Sequence, residues 1–162
     1  MSRIDDLRRR LQQDPASIAF AQLAEEHRRA GDLADAIRVC REGLSRHPTY
    51  ASARITLARA LAASGEPDAA QAEFEIVRRQ APDNLAALRG LADLFQGRGA
   101  LKEALAACRA ALKLARHDPD LQATVTSLEQ TLGVTDDRPR RTLAVLEGWL
   151  EVVRSRRQRP EA

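Results

Sequence analysis

Large aromatic side chains are scarce, with three Phe, one Tyr and one Trp in 162 residues. That excludes a core of stacked aromatic plates, so the interior must come from Ala, Leu, Ile and Val at close helix contacts. Long apolar runs are also missing. The longest is a few residues, against the roughly 20 that a spanning helix requires. The first ten residues already hold Asp5, Asp6 and the run Arg8, Arg9, Arg10, so neither a membrane span nor a signal peptide is visible. The expectation is a cytoplasmic, all-helical protein. Cysteine occurs twice and methionine once, too few for a disulfide framework.

What is present is charge and small apolar residues, 30% and 44% of the chain for the charged and hydrophobic classes, with a net charge of +3. A basic balance invites nucleic acid or an anionic membrane as partner. The excess is local, however. From Arg138 onward seven arginines face three glutamates, which leaves that stretch at +4 and the preceding body near −1. The body is thus a mixed-charge surface, and basicity belongs to the tail.

A repeat organises the rest. Gly31, Gly65 and Gly99 are spaced by 34 residues, and the same interval relates Leu23, Leu57 and Leu91, then Ala24, Ala58 and Ala92, then Ala36, Ala70 and Ala104. A fixed period of this size marks a stack of identical supersecondary units. The copies run 17–50, 51–84 and 85–118. Phe20, Leu23, Ala24 and His27 fall at i, i+3, i+4 and i+7, so each copy begins with a helix that has one apolar face. A second helix follows with Ala36, Ile37, Cys40 and Leu44. The glycine is expected to end the first helix in a left-handed conformation. Asp32 is expected to cap the second through its carboxylate, and Pro67 to open the second helix of copy two. Pro48 and Pro82 close the second helices.

These columns resemble the tetratricopeptide repeat family. Its pattern of large, Leu, small, aromatic, Ala, aromatic, Ala, Pro is met by Phe20, Leu23, Ala24, His27, Ala36, Cys40, Gly43 and Pro48, and in the next copy by Arg54, Leu57, Ala58, Leu61, Ala70, Phe74, Val77 and Pro82. Copy three matches with Leu88, Leu91, Ala92, Phe95, Ala104, Cys108 and Ala111, but has Arg116 where Pro is expected, with Asp118 and Pro119 arriving late. The resemblance implies an alpha-alpha superhelix, a solenoid of three helix-turn-helix repeats. It also implies a groove lined by the first helices that binds a peptide or partner helix. Carried over by position, the groove residues are Gln22, Glu25, Arg28, Arg29, Thr56, Arg59, Arg89, Asp93 and Gln96. The branch of the family that clamps terminal carboxylates uses Lys, Asn and Arg at positions that here hold Ala21, Glu25, Thr56, Ala86 and Gly90, so that activity is not supported.

A repeat stack must present polar outer faces at its ends. Ile4, Leu7 and Leu11 suggest a half-repeat cap over 3–13, and Val125, Leu128 and Leu132 a capping helix over 120–132, so that the array occupies 1–133. Glu129, on that last helix, argues against a further repeat packing there. A linker at 134–138 leads to an amphipathic helix at 139–157 and a tail at 158–162. On that helix Leu143, Leu146, Trp149, Leu150 and Val153 form an apolar face that requires cover. The favoured cover is the repeat stack itself, with a partner protein or a second copy as the alternative.

No catalytic constellation assembles. His27 lies in a core column, His47 and His117 at helix ends, and there is no H-E-x-x-H or phosphate loop. Cys40 and Cys108 are 68 residues apart, the same column two repeats on, which places them on the order of 20 Å apart and beyond disulfide reach. The expectation is therefore a protein with no catalytic residues, metal site or cofactor. The resemblance implies a scaffold or adaptor with a protein partner. A nucleic-acid factor using the arginine tail is the alternative, disfavoured by the near-neutral body and the few aromatics available for stacking.

Overall fold

Alanine and leucine favour helix, and the 34-residue recurrence of glycine interrupts it at regular intervals. The computed structural model describes residues 3–134. Among them are eight helices and no strand: α1 (Arg3–Gln13), α2 (Ala19–Ala30), α3 (Leu33–Arg46), α4 (Ala51–Ala63), α5 (Pro67–Gln80), α6 (Leu85–Gly97), α7 (Leu101–Leu114) and α8 (Pro119–Leu132). Linker 134–138 after Val134, the helix expected at 139–157 with Leu143, Leu146, Trp149, Leu150 and Val153, and the tail lie outside the described residues. The chain divides into two compact units at Leu128. The following concerns the first, apart from the turn at Gly133.

Each glycine turn has one geometry. Gly31, Gly65, Gly99 and Gly133 adopt φ of 86, 85, 70 and 65°, a region in which a side chain would be strained. The residue after each glycine donates its N–H to the carbonyl five positions earlier: Asp32 to His27, Glu66 to Leu61, Ala100 to Phe95 and Val134 to Glu129, all at 2.9 Å. These bonds satisfy carbonyls that the helix end leaves without partners. Asp32 departs from expectation. Its side chain makes no capping bond to α3, and its carboxylate instead lies 3.5 Å from Nδ1 of His27. The contact is not a hydrogen bond, and Nδ1 of His27 is buried without a hydrogen-bond partner. Side-chain caps occur where Asn84 accepts from the N–H of Ala87 and where Asp118 accepts from Asp120 and Leu121. Asp118 thus opens α8 without a proline ending α7.

The helices pack in two layers. α2 contacts α4 and α4 contacts α6, forming one wall; α3, α5 and α7 pair with α2, α4 and α6, and α1 lies against α2. Close approach is set by alanine: Ala24, Ala58, Ala36, Ala70 and Ala104 are fully buried. Leu23, Leu57 and Leu91 fill the space beside them. Arg54 occupies a packed column because its head finds partners, Glu73 at 2.7 Å and the Pro48 carbonyl at 2.6 Å. Leu121 of α8 joins Leu88 and Ala111 in a further cluster.

Two rings are seated on glycines. A methyl carbon at Gly43 would lie 1.9 Å from the Phe20 ring, and one at Gly90 would lie 2.2 Å from the Phe74 ring. Nothing lies within 4 Å of such a carbon at Gly97. The two kinds of helical glycine therefore differ in sign. Gly43→Ala should destabilise by about 1–3 kcal/mol through overpacking, despite a helix-propensity gain of up to ~1 kcal/mol. Gly97→Ala should raise stability by about 0.5–1 kcal/mol. Urea unfolding of the two variants beside the wild type checks both signs.

Candidate functional site

The wall of α2, α4 and α6 presents side chains that do not enter the core, and these form two hollows. The first, of about 440 Å³, lies between α2 and α4 and is lined by Gln22, Glu25, Arg29, Thr56 and Arg59 among others. The second, of about 720 Å³, lies between α4 and α6, with Arg28, Arg59, Arg89 and Asp93 on its rim. Eight of the nine groove candidates thus line one hollow or the other. Gln96 lines neither and is half-buried. Arg59 belongs to both.

Glu25 organises the first hollow. Its carboxylate accepts from Nε and Nη2 of Arg28 at 3.0 and 2.8 Å, from Nε of Arg29 at 3.0 Å and from the hydroxyl of Thr56 at 3.2 Å. The arginines follow at i+3 and i+4, where helical side chains meet, whereas Thr56 reaches across from α4. Hydrogen bonding to Arg28 foremost, with the charge of Arg28 and the bonds from Arg29 and Thr56, outweighs burial and brings the Glu25 carboxyl down to about 2. Thr56 is buried, so it holds Glu25 in place and offers little to a ligand.

The second hollow is asymmetric in charge. Arg28, Arg59, Arg89 and Arg98 line it with one carboxylate, Asp93. Asp93 keeps a good part of its surface accessible. Its carboxyl is nevertheless raised by desolvation, against the opposing pull of Arg59 and Arg89. Arg89 is tied to Asp118, and Nε of Arg89 is buried without a partner. Arg98 bonds Asp68 at 2.7 Å and Gln71 at 2.8 Å on α5. Among the described residues Arg59 is exposed and forms no hydrogen bond or ion pair. Sequence columns did not point to Arg98, which follows the last residue of α6, or to Arg3, which reaches the first hollow from α1.

Elsewhere, groups that invite chemistry are sequestered. Cys40 is buried with its thiol donating to the Ala53 carbonyl at 3.5 Å, and burial pushes its pKa up to about 12. Burial likewise raises that of Cys108. Both thiols are free. His27 is buried between Arg8, 3.5 Å from Nε2, and Asp32. Among the described residues no three His, Cys, Asp or Glu side chains group as metal ligands, and no helix is long and apolar enough to cross a membrane.

The tetratricopeptide repeat family model matches residues 27–94 and again 63–128. The chain belongs to the tetratricopeptide repeat family. Its fold is shared with several solved structures. MamA superposes with a TM-score of 0.74 at 17% identity, covering 93% of this chain and 89% of that one. The Yersinia enterocolitica type III secretion chaperone SycD, in complex with a peptide of the translocator YopD, gives 0.64 at 16% identity, covering 69% and 91%. The first repeat domain of Spaghetti, bound to the HSP90 peptide SRMEEVD, gives 0.69 at 13% identity, covering 74% and 94%. No curated protein sequence matches the chain significantly.

The depressed Glu25 carboxyl makes a pH prediction. Because its folded pKa lies below its ordinary value of 4.5, its contribution to stability is present above pH 4.5 and is lost as pH falls from there towards 2. Glu25→Gln should flatten that part of the stability profile. A carboxyl-carbon NMR titration of the wild type should place the Glu25 midpoint near 2, and a midpoint at its ordinary value would remove the cluster from solution.

Proposed function

We propose that this chain is a non-enzymatic interaction scaffold, acting in the cytoplasm, that holds a peptide or partner helix against the wall of α2, α4 and α6. The observation that carries this is the pair of hollows meeting at Arg59, an exposed cation on α4. Small residues at Ala62 and Ala63 leave space between α4 and α6, so an extended chain or helix has room to lie there. Peptide complexes of Spaghetti and SycD, whose folds are similar, support the same use of the fold. Paired guanidinium groups suit recognition by charge-assisted hydrogen bonds. A second contact through Leu143, Leu146, Trp149, Leu150 and Val153, including contact with a second copy, is part of the proposal.

Affinity capture from native lysate tests it, comparing the full chain with full-length Arg59→Glu and identifying proteins by mass spectrometry. Arg59 is exposed and outside the core, so the melting temperature should stay within about 1–2 °C, as for other surface substitutions. A specific partner should be captured by the wild type and lost or reduced severalfold with the variant. An identical captured set from both would overturn the groove assignment.

A further inference from the structure

The two hollows differ in what they attract. In the α2–α4 hollow Glu25 and Glu26 stand among Arg3, Arg29 and Arg59, so the charges nearly balance. In the α4–α6 hollow four guanidinium groups face one carboxylate. Three of these arginines have carboxylate partners, but Glu25, Asp68 and Asp118 do not line the hollow. The guanidiniums thus line the hollow while their carboxylate partners do not, and each arginine, with five N–H donors, retains some for a ligand. The partners also fix the guanidiniums in position, which reduces the entropy lost when a ligand is bound. Between them lie Ala62, Ala63, Pro67 and Leu94, an apolar floor without charge. Phe74 is almost completely buried and offers no ring face to a base.

We infer that the α4–α6 hollow seats an acidic segment of a protein partner, its Asp or Glu carboxylates on Arg59 and the neighbouring guanidiniums and an adjacent aliphatic side chain on Ala62, Ala63 and Leu94. This rests on the groove assignment above and adds to it the chemistry of the occupant. Nucleic acid would supply anions as well. It gains most from stacking on exposed aromatic faces, which this hollow lacks, and a run of phosphates would continue onto Glu25 and Glu26 in the neighbouring hollow.

The test uses the full chain and fluorescein-labelled peptides with a Glu-Leu-Asp-Glu-Leu core in a Gly-Ser frame. A Gln and Asn counterpart, a Lys counterpart and a single-stranded oligouridine serve as comparisons, with binding read by anisotropy. The acidic peptide should bind about tenfold more tightly than its amide counterpart, with the gap narrowing between about 50 and 500 mM salt. Arg59→Gln should remove most of that gap and leave the amide peptide unchanged, while Arg59→Lys, which keeps the charge, should retain part of it. The inference is overturned if no peptide binds, if all bind equally, if the Lys peptide is preferred, or if oligouridine binds more tightly in an Arg59-dependent manner. A neutral or basic peptide that binds and is weakened by Arg59→Gln would overturn the acidic assignment and leave the groove standing. If neither peptide binding nor lysate capture responds to Arg59, both fall.

Discussion

Everything in this molecule depends on helices approaching closely at alanine. Ala24, Ala58 and Ala92 on the first helices, and Ala36, Ala70 and Ala104 on the second, are buried to within 2%. A larger side chain in any of these columns would push neighbouring helices apart and shift the wall that carries the hollows. Leucine at the adjacent column adds apolar area, at roughly 25 cal/mol per Å² buried. With so few aromatic residues, interdigitation of small and medium side chains is the available source of a tight interior. Phe20 and Phe74 fit by lying on glycines.

The wall of α2, α4 and α6 is a by-product of that packing. Because the apolar stripe of each first helix is consumed by its neighbours, the remaining positions project onto a common wall, where their charges can pair. Glu25 shows how strongly they do: one carboxylate receives two arginines of its own helix and a threonine of α4. Such a cluster both orders the wall and limits which of its charges meet a ligand. The groups best placed for a ligand are those, like Arg59, that the wall does not itself use.

The fold was legible in the residues because a stack repeats its contacts, so each column states the same constraint three times. Gly31, Gly65 and Gly99 fall at the turns, and α2 to α7 are the helices their spacing implies. Single-position details were less legible. Asp32 has the residue type and place of a cap, but pairing with buried His27 lies five residues back and is invisible to a local rule. Glu25, Arg28 and Arg29 were named through the family resemblance, carried over by position, whereas the division of the wall into two unlike hollows was not foreseen. It depends on Arg3 and Arg98, which arrive from a flanking helix and a turn and belong to no repeated column.

The fourth left-handed glycine, Gly133, stands 34 residues after Gly99 and makes the same hydrogen bond through Val134. The turn is therefore a joint whose spacing acts as a ruler along the chain. A change in length by a whole 34-residue step leaves every joint in phase, whereas an insertion or deletion inside a helix rotates the rest of that helix away from its alanine seat. Duplication of one whole unit is therefore the simplest event that lengthens such a wall without rebuilding its core.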